Sequence, residues 1–215
     1  MGDFMRLRNV KNKEEIMNNS NYLVKNYYDY KGKWRELFNN DNPIYIEIGM
    51  GKGKFIIENA VMYPDINFIG IEKYDSVLVR AIQKTDPLEI NNLKLIRLDA
   101  TNIDSIFDHE IDLIYLNFSD PWPKERHEKR RLTSPLFLNK YDNIFKKDCH
   151  IIQKTDNINL FNYSINSLIE NGYEIISCTN DLHNSNIPNI NTEYETKFVS
   201  MGIKINRLDA IKKKI

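Results

Sequence analysis

IYIEIGMGKGKFIIENAVMYPDINFIGIE, Ile44 to Glu72, decides the fold. The stretch opens on five residues that are apolar except for Glu47, as a buried strand requires. Phe55, Ile56, Ala60 and Tyr63 then recur at helical spacing, and NFIGIE returns to a strand. A strand, a helix and a second strand in so short a run make one βαβ unit. Working outward, further strands are expected at Leu93 to Leu98, Ile111 to Phe118, His150 to Lys154 and Tyr173 to Cys178. Helical spacing recurs at Val77, Leu78, Ala81 and Ile82, and at Ile158, Phe161, Ile165, Leu168 and Ile169, where Gly172 supplies a C-terminal stop. Such alternation specifies an α/β, Rossmann-like architecture, a mostly parallel sheet with helices on both faces. A single domain is expected over residues 41–215. Residues 1–40 are polar and Asn-rich and read as a basic, partly mobile arm with Arg6, Arg8, Lys11 and Lys13, followed by a helix or two.

The strand-to-helix turn of this unit carries Gly49, Gly51 and Gly53. Without Cβ atoms there, a ligand can approach the backbone closely at the start of a helix. A dinucleotide site would read G-x-G-x-x-G, whereas this chain reads G-x-G-x-G with Glu47 two residues before the first glycine. The changed register and the added acid favour S-adenosyl-L-methionine, whose ammonium group wants an anionic partner and which has no pyrophosphate. The next strands sharpen this reading. Glu72 ends the second, where it can accept both hydroxyls of a ribose, and Asp99, followed by Ala100, ends the third, where it can accept from the amino group of an adenine. A competing reading makes these acids helix N-caps, which would account for any one of them but less readily for all three.

Past the fourth strand the chain reads NFSDPWPKERHEKRRL, Asn117 to Leu132. Pro121 and Pro123 stiffen the corner and hold Asp120 just beyond a strand end, where α/β enzymes keep their reacting groups. Lys124, Arg126, His127, Lys129, Arg130 and Arg131 follow at once, a cluster suited to phosphates. The competing reading is a solvated helix in which Glu125 and Glu128 neutralise the cations. Trp122 can stack on a displaced base or pack beneath the corner.

Lys plus Arg equals Asp plus Glu at 30 each, so the chain is no bulk-charge coat for nucleic acid, and a polyanion must meet a local patch. No apolar run approaches the roughly 20 residues of a membrane span, and no signal peptide is apparent, so a cytoplasmic location without membrane contact is expected. Cys149 and Cys178 read as buried, reduced thiols. The four histidines suggest no metal site. The terminal Lys212-Lys213-Lys214 reads as a frayed, solvated tail, with a contact to phosphate as the alternative.

Taken in order, EIGMGKGKF, NFIGIE, LNFSDPWPKERHEKRRL, KTDN, DLHNS and TEYETKF resemble the bacterial tRNA (guanine-N7)-methyltransferase family, from about Lys31 to Arg207. The resemblance implies a class I methyltransferase fold, seven strands with the last antiparallel, and methylation of guanine N7 in the tRNA variable loop, with S-adenosyl-L-homocysteine as the second product. It implies that Glu47, Gly49, Gly51, Gly53, Glu72, Asp99, Ala100 and Asp120 surround the donor, with Asp120 catalytic. Lys124, Asp156, Thr192, Glu193, Tyr194 and Glu195 would contact the substrate base, and Arg126, His127, Lys129, Arg130 and Arg131 the RNA. Asp156 can equally cap the helix that follows it, and Glu195 can equally face solvent. The segment around Thr192 to Glu195 is expected to order as the base enters. No obligate protein partner is evident, and a monomer or a homodimer is expected. Two departures stand out: Lys146-Lys147-Asp148-Cys149 holds no glycine where a turn is expected, and Gln153 stands where an aromatic is expected. Two other functions stay open. NFSDPWP loosely resembles the (D/N)PP(Y/W) corner of methylases that act on exocyclic amines, and a noncatalytic RNA-binding module can share this fold.

Overall fold

A computed structural model describes residues 10–214. In chain order the elements are α1 (Lys13–Asn19), α2 (Trp34–Phe38), β1 (Ile44–Ile48), α3 (Lys54–Met62), β2 (Asn67–Glu72), α4 (Asp75–Thr85), β3 (Leu93–Arg97), β4 (Leu113–Asn117), α5 (Pro135–Ile144), β5 (Cys149–Thr155), α6 (Ile158–Glu170), β6 (Glu174–Thr179), α7 (Glu193–Ser200) and β7 (Asn206–Lys212). They build a seven-stranded sheet in the order β3-β2-β1-β4-β5-β7-β6. Every pairing is parallel except those of β7, which is antiparallel to both β5 and β6. Two apolar cores fill the faces. One gathers Trp34, Phe107, Phe137, Tyr141, Phe145 and Phe161, and the other gathers Ile56, Phe68, Leu78, Ala81, Ile82 and Leu95.

The order reverses between β1 and β4. From β1 the chain winds outward through β2 to β3, and from β4 it winds the other way, so a crevice opens at the carboxyl ends of this pair. Their ladder stops at Glu47 and Tyr115. All five acids expected at strand ends lie along this one edge: Glu47 is the penultimate residue of β1, Glu72 ends β2, and Asp99, Asp120 and Asp156 follow β3, β4 and β5 within three residues.

Some elements differ from expectation. β7 escaped the periodicity reading because Arg207 and Asp209 alternate with the buried Leu208 and Ala210, so an inner strand looks polar. Helix α5 was not expected either, although Phe137, Leu138, Tyr141 and Ile144 form its buried stripe behind Pro135 in the first turn. β4 starts at Leu113, since Ile111 makes only an isolated bridge to Phe145. The turn before β5 needs no glycine because none of Lys146, Lys147 and Asp148 takes a positive φ.

Both ends of the described stretch, residues 10–214, are fastened rather than loose. Leu95 donates to the Tyr22 carbonyl and accepts from Val24, so residues before α2 cover the free edge of β3, and Trp34 lies fully buried in the larger core. Arg6 and Arg8 fall outside the described residues, Lys11 is exposed, and Lys13 pairs with Asp75 at 3.0 Å. At the other end the frayed-tail expectation is corrected: Lys212 closes β7 and pairs with Asp142 at 2.8 Å, Lys213 pairs with Asp148 at 2.6 Å, and Lys214 donates to the Phe145 carbonyl at 2.7 Å. Cys149 is buried as expected, but Cys178 is exposed, because alternate residues of the edge strand β6 face outward. Among the described residues no helix is long and apolar enough to cross a membrane.

Gln153 sits in β5 between Leu116 and Leu208, buried, with neither its amide oxygen nor its nitrogen bonded among the described residues. An unpaired buried polar group costs about 1–3 kcal/mol. The near-isosteric Gln153→Met is therefore expected to stabilise the protein by about 1–2 kcal/mol in urea unfolding. An unchanged or lowered midpoint would show that the amide is engaged.

Candidate active site

The glycine turn forms one lip of the crevice. Gly49, Gly51 and Gly53 all have positive φ, between 60° and 79°. A Cβ at Gly53 would meet the Ala81 Cβ at 2.9 Å, so this glycine lets α3 and α4 pack together. Gly49 and Gly51 face open space, and there the bare backbone leaves room for a ligand.

Three carboxylates stand beside this turn in different environments. Glu47 ends the β1–β4 ladder and is only 2% exposed. Its Oε1 accepts from Asn117 Nδ2 at 2.9 Å, while Oε2 is buried with no partner among the described residues, as are Asn117 Oδ1 and Ser119 Oγ. Burial pushes the Glu47 carboxyl up to about 7, against the Asn117 bond and the charge of Lys154, which both favour ionisation. Glu72 accepts from the backbone N–H groups of Gly51 at 3.1 Å and Tyr74 at 2.9 Å, tying the glycine turn to the end of β2. Burial raises its pKa too, opposed by those bonds and assisted by the negative charge of nearby Asp120. Asp99 lies at the other extreme. A bond from Lys73 Nζ at 2.7 Å, with further bonds from the Thr101 amide and hydroxyl, brings its carboxyl down to about 2 although partial burial opposes them. Asp99 also caps the 3₁₀ turn that begins at Ala100, so the cap reading describes this acid but not Glu47 or Glu72.

The corner after β4 is strained. Phe118 has φ 51° and Trp122 φ 43°, left-handed conformations that cost a bulky L-residue on the order of 1–3 kcal/mol each. Arg131 holds the corner in place: Nε donates to the Pro121 carbonyl at 3.2 Å, Nη2 to the Trp122 carbonyl at 3.1 Å, and the guanidinium lies 4.2 Å from the centre of the Tyr163 ring. Nε and Nη2 of Arg131 are thus turned inward, and the residue is half-exposed. Trp122 packs on the corner, with Arg130 over its ring at 4.7 Å and His127 against it edge-on at 5.7 Å. Lys124, Arg126, Lys129 and Arg130 are exposed on and just before a 3₁₀ turn, Glu125–Arg130. Among the described residues none of the four lies within ion-pair distance of a carboxylate, so Glu125 and Glu128 do not neutralise them. Asp120 is exposed just before this patch.

Across the crevice, Asp156 is exposed past the end of β5, and the cap of α6 is Asn157, which accepts from the Leu160 amide at 2.9 Å. Thr192 and Glu195 form a capping box at the start of α7. Glu195 is 0% exposed. Its Oε2 accepts from Lys154 Nζ at 2.7 Å and the Thr192 amide at 3.2 Å, and its Oε1 lies 2.9 Å from His183 Nε2 and 2.5 Å from Asn189 Nδ2. The solvent-facing alternative for this side chain is therefore corrected, because both oxygens are engaged inside the protein. Glu193 is ion-paired to Lys84 of α4. Tyr194, 57% exposed, stacks on Phe118 at 6.3 Å and on Phe198 at 6.2 Å, so it is the part of this segment that presents free surface beside the strained corner. Asn117, Phe118 and Lys154 were missed by the sequence reading. Asn117 and Lys154 did carry a signal, since a polar or charged residue inside an apolar strand must find a partner.

A sequence family described as "Putative methyltransferase" matches residues 41–208. A tRNA (guanine-N(7)-)-methyltransferase of Lachnoclostridium phytofermentans is 51% identical over 213 residues, covering 98% of this chain and all of its own length. A protein of the same name from Bacillus subtilis is 48% identical over 208 residues, covering 95% of this chain and 98% of its own. A solved structure described as that of an antibiotic-related methyltransferase shares the fold with a TM-score of 0.64 at 18% identity, over 85% of this chain and 94% of that one.

The environment of Glu47 makes stability depend on pH. Its carboxyl keeps its proton up to about pH 7 when folded but only to about 4.5 when unfolded, so the folded chain binds the extra proton between those values. Stability from this residue therefore falls as pH rises through that window and is level above it. Glu47→Gln removes the penalty, and in urea unfolding at pH 8 the variant is expected to exceed its parent by on the order of 3 kcal/mol, a gap that closes toward pH 5. Equal stability at pH 8 would contradict this environment.

Proposed function

This chain belongs to the tRNA (guanine-N(7)-)-methyltransferase family, and from that premise we infer how its crevice works. The protein is an enzyme that transfers a methyl group from S-adenosyl-L-methionine to N7 of a guanine in tRNA. That reading displaces both rivals, the exocyclic-amine methylase and the noncatalytic RNA-binding module. We place the guanine in the variable loop of the tRNA and the reaction in the cytoplasm.

The residues fit a donor that carries positive charge. Glu47 Oε2 is buried and unbonded, which suits a cationic ammonium group, and Gly49 and Gly51 leave the space that a Cβ would fill. Glu72 keeps acceptor capacity for ribose hydroxyls, Asp99 and the backbone at Ala100 border the adenine, and Asp120 stands near Glu72 on the methyl side. When bound, S-adenosyl-L-methionine supplies an electrophilic methyl group on a sulfonium. Guanine N7 bears an in-plane lone pair and no hydrogen. The N7–carbon bond can therefore form as the sulfur–carbon bond breaks, with the bonding pair leaving on sulfur and no base required. The protein's part is alignment and charge compensation. Asp120 and Asp156 face the positive charge that develops on the purine, with Asp156 accepting from the N1 and amino hydrogens, and Lys124 and the Thr192–Tyr194 segment border the base.

One observation carries this reading: the single run Asn117 to Arg131 makes the crevice wall, through Asn117 on Glu47, and then four exposed cations without ion-pair partners among the described residues. Reacting site and phosphate patch are thus covalent neighbours. Unmodified tRNA incubated with methyl-labelled donor, digested and read by mass spectrometry, is expected to carry the label as 7-methylguanosine. Label in another nucleoside would contradict the assignment of the acceptor atom. Neutralising Arg126 and Lys129 together is expected to weaken tRNA binding and to flatten its log–log salt dependence by about 1 to 2 units, with donor affinity unchanged. An unaltered salt slope would return the cluster to a merely solvated face.

A further inference from the structure

HIIQKT, the body of β5, places Lys154 inside the sheet between β4 and β7, where it is 2% exposed. A buried ammonium is costly unless all its hydrogens are bonded and a counter-charge is near. Lys154 meets that condition in an unusual way. Its Nζ donates to Glu195 Oε2 at 2.7 Å, to the Ile190 carbonyl at 2.9 Å and to Asn189 Oδ1 at 3.0 Å, so all three acceptors come from one segment, 189–195. The open side of the ammonium lies 4.7 Å over the Phe55 ring. The segment itself adds no strand to the sheet, and this cation joins it to the sheet's interior.

The same residue is attached to the donor side by its backbone. Lys154 pairs in register with Asn117, the partner of Glu47, and its carbonyl accepts from the amide of the strained Phe118 at 2.8 Å. Tyr194, an exposed member of the clamped segment, rests on the ring of that same Phe118. One buried side chain thus fixes the relation between the strand-end corner and α7.

We propose that Lys154 is a positioning residue for methyl transfer: its buried ammonium clamps segment 189–195 across the strand ends and keeps Tyr194 seated on Phe118 at the acceptor side of the crevice. The proposal rests on the methyl-transfer reading and deepens it. Lys154 is too buried to touch tRNA, and it acts through Glu195, Asn189 and Ile190.

Two variants test this. Lys154→Met removes the ammonium but strands the Glu195 carboxylate in the interior. The double variant Lys154→Met/Glu195→Gln removes both charges and leaves a side chain able to complete the capping box. At pH 8 and saturating S-adenosyl-L-methionine, where a change in Glu47 ionisation on loss of the Lys154 charge does not limit the reaction, kcat for tRNA methylation is expected to fall about tenfold or more in both, the effect of loosened reacting geometry. Without substrate, the amides of residues 189–196 are expected to exchange hydrogen faster than in the parent while those of β1 and β2 keep their protection. A merely stabilising role would move the protection of all these strands together and leave kcat intact below the unfolding transition. Parental kcat and parental protection of residues 189–196 in the double variant would overturn the proposal. Failure of the parent itself to methylate guanine would overturn the methyl-transfer reading instead.

Discussion

The hydrogen bond from Asn117 to Glu47 joins β1 to β4 where the sheet reverses its winding, and the rest of the site is arranged around that bond. Two adjacent parallel strands whose crossovers leave in opposite directions must part at their carboxyl ends. Here they part just after Glu47 and Tyr115. β1 then turns through Gly49 into α3, and β4 turns through Phe118 into the proline corner. A carboxylate at the point of parting faces a gap between two elements and has one partner where it could use several. Burial raises its pKa to about 7, so near pH 7 the carboxylate is only about half formed, and a cation beside it would complete the ionisation.

Around this bond the molecule sorts its charge by depth. Formal charge sums to zero over the chain, yet Glu47 and Glu72 sit within the crevice while Lys124, Arg126, Lys129 and Arg130 stand exposed beside it. A cationic donor and a polyanionic acceptor are thereby drawn to neighbouring places by opposite fields. The corner that separates the two fields is conformationally costly at Phe118 and Trp122. Arg131 and the Phe118–Tyr194–Phe198 cluster hold it there.

Ile44 to Glu72 was legible because its periodicity changes from strand to helix and back, and because glycines with positive φ leave a plain mark in sequence. β7 was not legible, since Arg207 and Asp209 alternate with its apolar residues and pair with each other, so an inner strand carries charge. The positions of the strand-end acids followed from strand order, but their environments did not. Nothing local says that Glu47 would be nearly unpartnered while Asp99 would be held by Lys73. The fates of Arg131 and Glu195 were hidden for the same reason. Each sits in a run of residues suited to a ligand, and each is turned inward by a long-range partner, Tyr163 or Lys154, whose proximity only the tertiary fold creates.

The account stands on Glu47 being kept buried and incompletely bonded for a cationic group of the methyl donor. Calorimetric binding of S-adenosyl-L-methionine between pH 6 and 7.5 tests this most directly, because an α-amino group keeps its proton over most of that range, its usual pKa being about 7.7 to 8.0. Affinity is expected to rise across the interval as Glu47 ionises, and in Glu47→Gln to be weaker and independent of pH. A pH-independent affinity in the parent, or an equal affinity in Glu47→Gln, would contradict the account.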